Sequence, residues 1–217
     1  METCAPTLND MLVRRTAASK GASESVARAE RTWAPKSCTT TMSEPLAVGD
    51  VAPDVTAPLV RPDGSTADVA LSSLTDERPT VLAFYTNDFS PDCIEEWCSF
   101  RDYGWFTSDE RIQVVGVSRS HAATHRRFID YLDLDFPLYA DRDLELAEAF
   151  GVDYRTFGLL RRAKRSVFFL GTDRTVRYRW VGDHPLDPAR DQPPLDEVRA
   201  AVEDVLGGTE TETFGFE

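Results

Sequence analysis

The strongest constraint on the fold of this chain is a set of short, nearly unbroken apolar runs. Thr80–Tyr85, Ile112–Val117 and Val167–Leu170 are each of strand length and consist largely of Val, Leu, Ile and Phe. Strands that are buried on both faces have this composition, whereas strands with one face in water alternate apolar and polar residues. The runs therefore predict the central strands of a sheet that is covered on both faces.

Helical patterns separate and follow these runs. Apolar residues recur at helical spacing in four segments: Pro91–Trp105, His121–Leu132, Asp143–Phe150 and Leu195–Leu206. The last segment is an amphipathic helix that closes the predicted domain. Alternation of strand and helix predicts an α/β fold with a sheet flanked by helices.

Two hairpins are predicted at the ends of this alternating region. Asp54–Leu59 and Thr66–Leu71 flank Arg61–Gly64, whose proline, aspartate and glycine favour a turn. Near the other end, Gly171–Arg174 turns the chain into Val176–Val181, an antiparallel partner for the preceding run. The sheet is therefore expected to be mixed, with an N-terminal β-hairpin.

Charge and hydropathy narrow the classes of partner. The formal net charge is −13, and an acidic surface repels nucleic acid, which needs a basic face to bind. No run of eighteen or more apolar residues is present, and the first thirty residues lack the apolar stretch of a secretory signal. We therefore expect a cytoplasmic protein without a nucleic-acid or membrane partner.

The two ends of the chain differ from its middle. Residues 1–41 are rich in Ser, Thr, Ala and Arg without a sustained apolar period, so they offer little to offset the entropy cost of ordering. They are predicted to be a disordered or mis-annotated extension. The predicted domain covers residues 48–208, and residues 209–217 form a frayed acidic tail.

Cys93 is the first candidate for a reactive residue. Ligands of α/β sheets bind beyond the carboxyl ends of strands, and Cys93 follows the first central run. Ser90 is a favourable N-cap and Pro91 suits the first helical position. Cys93 would then lie in the first turn of a helix, where free N–H groups and the helix dipole favour a thiolate over a thiol.

Cys98 lies five residues after Cys93. In an intact helix this spacing leaves the two Cα atoms about 8.6 Å apart on different faces, whereas a disulfide needs them within about 7 Å. The two cysteines can therefore be bridged only if the turn between them unwinds, which would couple oxidation to local unfolding.

Two other interpretations of these residues stay open at this point. Either cysteine can be a small buried residue without chemistry, because free cysteine is among the most buried residue types. His121 and His125 lie at i, i+4 and could join Cys93 and Cys98 in a Cys₂His₂ metal site. The five-residue cysteine spacing and the distant histidines are unlike those of compact zinc fingers.

The segment around the cysteines contains the pattern Phe84-Tyr85-x-x-Asp88-x-Ser90-Pro91-x-Cys93-x-x-Glu96-x-Cys98-x-Phe100-Arg101. This pattern resembles the active-site segment of peroxiredoxins, in the bacterioferritin-comigratory or Q-type branch of the AhpC/TSA superfamily. The resemblance extends over most of the chain through three further segments: Val114–Ser118, Phe136–Asp141 and Ala147–Val152.

This resemblance implies a thioredoxin-like fold and a set of roles. Cys93 corresponds to the peroxidatic cysteine, Cys98 to the resolving cysteine, Ser90 to the hydroxyl residue and Arg165 to the arginine that steadies thiolate and peroxide. The implied activity is reduction of hydrogen peroxide or organic hydroperoxides through a Cys93 sulfenic acid and a Cys93–Cys98 disulfide. A thioredoxin-like dithiol would be the reductant, no metal or organic cofactor is needed, and a monomer and a homodimer both stay open.

Two positions depart from the family pattern. Thr86 stands where the motif opens with proline, and Asp92 replaces the glycine before the cysteine. A carboxylate beside the thiolate opposes its formation, although the helix dipole favours Asp92 there. These departures keep a second function open, a redox sensor without turnover or a thiol-disulfide oxidoreductase on the same fold. The absence of a Cys-x-x-Cys pair argues against the oxidoreductase.

Overall fold

The computed structural model describes residues 44–156, 160–183 and 191–207. The strands of this part are β1 Thr56–Val60, β2 Thr66–Ala70, β3 Thr80–Phe84, β4 Gln113–Ser118, β5 Leu138–Ala140, β6 Asp153–Thr156, β7 Leu160–Ala163, β8 Ser166–Leu170 and β9 Val176–Val181. Its helices are α1 Leu71–Thr75, α2 Pro91–Asp102, α3 Trp105–Ser108, α4 Ala122–Leu132, α5 Glu145–Ala149 and α6 Leu195–Gly207. Residues 1–41 and 209–217, for which disorder and fraying were expected, lie outside the described residues.

Seven of these strands form one mixed sheet in the order β2-β1-β5-β4-β3-β8-β9. Strands β3, β4 and β5 are parallel, whereas β8 joins β3, and β1 joins β5, in antiparallel fashion. β1 and β2 form the predicted N-terminal hairpin. The predicted α/β fold with a mixed sheet and flanking helices is confirmed.

The predicted central strands lie in the core. Every residue of β3 and β8 is buried, and so are most residues of β4. Phe84 and Phe168 pack with Phe150, with ring centroids 5.0–5.9 Å apart. Burial on both faces explains why these runs are almost entirely apolar.

Sequence patterning was less accurate at element ends and for short elements. The helix predicted over Pro91–Trp105 ends at Asp102, and Gly104, with φ of 21°, separates it from α3. Strand β5 and the β6–β7 hairpin were not predicted as strands. Each of these three strands is only three or four residues long, which is too short for a periodic signal.

The register of β3 with its neighbours gathers distant residues at one edge of the sheet. Phe84 at the end of β3 pairs with Val117 in parallel β4 and with Ser166 in antiparallel β8. Residues just after β3 and just before β8 therefore meet at the carboxyl end of β3.

Within the described residues, no helix is long and apolar enough to cross a membrane.

Candidate active site

Cys93 lies in the first turn of α2, as predicted. Ser90 occupies the N-cap position with extended backbone angles, and Pro91 is the first helical residue. Cys93 is a free thiol and is fully buried. The local sequence thus places a sulfur atom among the backbone N–H groups at the positive end of a helix dipole.

Arg165 brings a positive charge to this sulfur. Its Nη2 atom donates to Sγ of Cys93 at 3.2 Å, and its Nη1 atom donates to the carbonyl oxygen of Asp92 at 3.4 Å. Arg165 immediately precedes β8, and the pairing of Ser166 with Phe84 explains why it reaches the end of β3. A fixed guanidinium at this distance favours the thiolate over the thiol.

The two hydroxyl residues of the loop 86–90 behave differently. Thr86 Oγ1 lies 3.5 Å from Sγ of Cys93, so a hydroxyl faces the sulfur at the position where the motif that the sequence resembles opens with proline. Ser90 makes no side-chain cap bond to the helix, and its hydroxyl donates to the carbonyl oxygen of Asn87 at 3.3 Å. Ser90 therefore occupies the predicted N-cap position, although its hydroxyl bonds within the loop and not to the helix.

Asp92 is less of an obstacle to a thiolate than the sequence suggested. The residue is exposed, so water screens the interaction between its carboxylate and the buried sulfur. Its carbonyl oxygen accepts hydrogen bonds from Arg165 and, at 3.1 Å, from Gln192 Nε2. Asp92 thus helps to fix Arg165 and the start of α2.

Glu96 is a site residue to which the sequence reasoning gave no role. It follows Cys93 by three residues on the buried face of α2 and is 1% exposed. Its Oε2 atom lies 3.3 Å from Nε of Arg165, yet no described residue donates a hydrogen bond to the carboxylate. Burial raises the pKa of Glu96 to about 8, and the Arg165 charge acts in the opposite direction. A protonated Glu96 leaves the Arg165 charge available to Cys93.

Replacing Glu96 by glutamine is expected to flatten the pH dependence of stability. The folded-state pKa of about 8 lies above the usual 4.5, so this group's contribution is complete below 4.5 and is lost as pH rises through about 8. Relative to the wild type, Glu96→Gln should gain about 5–10 °C in melting temperature between pH 6 and pH 9. Differential scanning calorimetry measures the melting temperatures. If the difference in melting temperature between the two proteins were the same at pH 6 and at pH 9, the assignment would be contradicted.

Cys98 lies on the same helix as Cys93, so the spacing argument against a bridge within an intact helix applies. Cys98 is 4% exposed and is disulfide-bonded. Because Cys93 is a free thiol, the two cysteines are not joined to each other in this structure. A resolving role for Cys98 therefore requires its thiol form.

His125 belongs to a buried polar cluster. Its Nδ1 atom lies 3.1 Å from Oδ1 of Asp88, which also accepts the Tyr85 hydroxyl at 2.8 Å. His121 is exposed at the N-cap of α4. In the described part of the chain, no group of three or more His, Cys, Asp and Glu residues is placed to hold a metal ion. The alternative of a Cys₂His₂ site is therefore wrong: both ring nitrogens of His125 are occupied, one by Asp88 and the other by the Tyr139 carbonyl oxygen.

Comparison with known proteins agrees with this geometry. The model of the AhpC/TSA family matches residues 48–179. A putative peroxiredoxin of Mycobacterium tuberculosis is 33% identical over 123 residues, which cover 57% of this chain and 80% of the relative. The chloroplastic peroxiredoxin Q of Triticum aestivum is 33% identical over 130 residues, or 60% of this chain and 57% of the relative.

A solved structure supports the same assignment. The peroxidoxin BcpB from Mycobacterium tuberculosis superimposes with a TM-score of 0.60 at 28% identity, covering 73% of this chain and 97% of that one. The family match spans more than half of the chain and includes Cys93 and Arg165. The chain therefore belongs to the AhpC/TSA family and is a peroxiredoxin of its bacterioferritin-comigratory or Q-type branch.

Proposed function

We propose that this peroxiredoxin reduces hydrogen peroxide or organic hydroperoxides with Cys93 as the attacking thiolate and Cys98 as the resolving thiol. The single observation that carries the proposal is the Cys93 sulfur at a helix N-terminus, 3.2 Å from the Arg165 guanidinium. Both features stabilise negative charge at the sulfur. A thiolate is the nucleophilic form of cysteine, so the site is suited to attack on a peroxide.

In the first step, the Cys93 thiolate attacks one peroxide oxygen. A sulfur–oxygen bond forms as the oxygen–oxygen bond breaks, and the sulfur gives up two electrons to the peroxide. The second oxygen leaves as hydroxide or alkoxide and takes up a proton as water or alcohol. Donors aimed at the developing charge lower the barrier; we assign this role to Arg165, to Thr86 and to Ser90, whose hydroxyl would turn from Asn87 to the peroxide.

In the second step, the Cys93 sulfenic acid condenses with the Cys98 thiol, forms a disulfide and releases water. Because both residues lie in one helix, α2 must unwind between them. Trp97 lies in this turn, is fully buried, and packs against Tyr85 and Phe136 with ring centroids 5.4 and 5.9 Å away. Unwinding would therefore move Trp97 out of the aromatic core.

Tryptophan fluorescence is expected to follow these steps in the fully reduced protein. One equivalent of peroxide should produce a fast phase for oxidation of Cys93 and a slower phase for unwinding around Trp97. The slower phase should lose most of its amplitude in Trp97→Phe, because the reporter is absent, and in Cys98→Ser, because no disulfide forms. Stopped-flow mixing measures both phases; a slow phase that persists unchanged in both variants would refute the proposed resolution step.

The cycle closes when an external dithiol reduces the Cys93–Cys98 disulfide by thiol-disulfide exchange. We propose a thioredoxin-type protein for this step, because exchange needs a reductant that gives two electrons to the Cys93–Cys98 disulfide and leaves with its own two thiols joined as a disulfide. The proposed steps lie within one chain, so they operate in a monomer or in a homodimer. Steady turnover with thioredoxin distinguishes this enzyme from a redox sensor, which would stop after one oxidation.

A further inference from the structure

We propose that Asp88 and His125 are positioning residues of this active site, which hold the loop 86–90 that leads into α2. The inference rests on the proposed role of Cys93 and adds to it two residues that do not touch the sulfur. The side chains of both residues are completely buried. Buried polar groups of this kind stabilise the folded state only when their hydrogen-bond partners are held in place.

Asp88 ties the loop to three separate segments. Its Oδ1 atom accepts the Tyr85 hydroxyl at 2.8 Å, at the end of β3. His125 Nδ1, on α4, lies 3.1 Å from Oδ1 and 3.0 Å from Oδ2. The Asp88 backbone N–H donates to Ser120 Oγ at 3.0 Å, just after β4. Thr86, whose hydroxyl faces Cys93, lies two residues before this anchor.

His125 is itself held from both sides of its ring. Its Nε2 atom lies 3.1 Å from the carbonyl oxygen of Tyr139, and because a carbonyl only accepts, Nε2 carries a hydrogen. Its Nδ1 atom faces the Asp88 carboxyl group, so this contact holds a proton, either on Nδ1 or on Asp88. The pair is therefore a directed link between α4 and the loop and cannot be replaced by an apolar pair of the same size.

The loop needs such a link because its backbone is strained next to Asp88. Phe89 has a φ of 58°, in the left-handed region that non-glycine residues rarely adopt. The centroid of the Phe89 ring lies 5.2 Å from that of Phe128 and 5.6 Å from that of Tyr131. Both of these rings are on α4, the helix that carries His125. Helix α4 thus holds the strained turn at two adjacent residues, and the turn delivers Ser90 to the start of α2.

Two substitutions of Asp88 separate positioning from shape. Asp88→Ala removes the link, and we expect single-turnover reaction with hydrogen peroxide to slow by about 10- to 100-fold, because small misplacements at a reacting centre have effects of this size. The pH profile of Cys93 alkylation by iodoacetamide should also move to higher pH. Asp88→Asn keeps an oxygen for Tyr85 and an N–H for Nδ1, so it should stay within about threefold of the wild type.

Further variants keep the test decisive if Asp88→Ala does not fold. His125→Leu should slow the peroxide reaction as Asp88→Ala does, and the double variant should be no slower than either single variant. Ser120→Ala removes the acceptor of the Asp88 backbone N–H, and it should slow the peroxide reaction by about threefold. His121→Gln, on the exposed start of α4, should react as the wild type does.

A general loss of stability is tested with Val202→Ala, a buried change on α6. The positioning role is overturned if Val202→Ala slows the peroxide reaction as much as the loop variants do. It is also overturned if folded Asp88→Ala reacts at the wild-type rate. If Asp88→Ala does not fold, a wild-type rate in Ser120→Ala overturns it instead. An unreactive Cys93 in the wild-type protein would instead overturn the proposed function, so the two failures are distinguishable.

Discussion

Replacing Cys93 by serine is expected to slow peroxide reduction by about 10⁴-fold or more, to the background of the buffer. Serine matches cysteine closely in shape, so the buried pocket at the start of α2 should stay folded. Its hydroxyl, however, does not ionise near neutral pH and is a far weaker nucleophile than a thiolate. The loss is measured as peroxide consumed by the reduced protein, with circular dichroism as the control for folding.

The matched control is Cys98→Ser, on the same helix. This variant should reduce one equivalent of peroxide per chain at the wild-type rate. Turnover should then stop when the reductant is a dithiol that acts only on the Cys93–Cys98 disulfide, because that disulfide cannot form. Its Cys93 sulfenic acid should be trapped by dimedone and detected by mass spectrometry. Undiminished steady-state activity in Cys93→Ser would show that another group carries the chemistry, and the assignment of Cys93 would fail.

The central strands and their flanking helices could be predicted because burial on both faces leaves a plain mark on the sequence. β3 and β8 are apolar after their first residues, Thr80 and Ser166, and every one of their residues is buried. The position of Cys93 was equally predictable, because an N-cap serine and a proline determine where α2 begins. Signals of this kind are local, so a single sequence contains them.

The partners of Cys93 could not be predicted in the same way, because they come from strand register. Arg165 is 72 residues away in sequence, and only the family resemblance assigned it a role. Physically, it is the antiparallel pairing of β8 with β3 that brings it to the sulfur. Burial decides the chemistry of Glu96 and of the Asp88–His125 pair. For His125 a signal was present, because it shares a helical stripe with Phe128, Ile129 and Leu132.

Replacing Arg165 by methionine is expected to lower kcat/KM for hydrogen peroxide by about 10²- to 10³-fold, the effect of removing one donor aimed at developing charge. Methionine fills similar space without the charge or the N–H groups. The loss should appear in the oxidation step, and the pH profile of Cys93 alkylation should move to higher pH, because the cation beside the sulfur is gone. Stopped-flow oxidation and alkylation by iodoacetamide measure the two effects.

Two companions make this prediction specific to the guanidinium. Arg165→Lys keeps a positive charge but not the planar group that contacts both Sγ of Cys93 and the Asp92 carbonyl, so an intermediate loss of about tenfold is expected. Glu96→Gln should stay close to the wild type at neutral pH, because burial keeps Glu96 largely protonated there. Combining Glu96→Gln with Arg165→Met removes the carboxyl group left beside the vacated site. If this double variant recovered the wild-type rate, the loss in Arg165→Met would come from the unpaired glutamate, and Arg165 would have no part in stabilising the thiolate or the leaving oxygen.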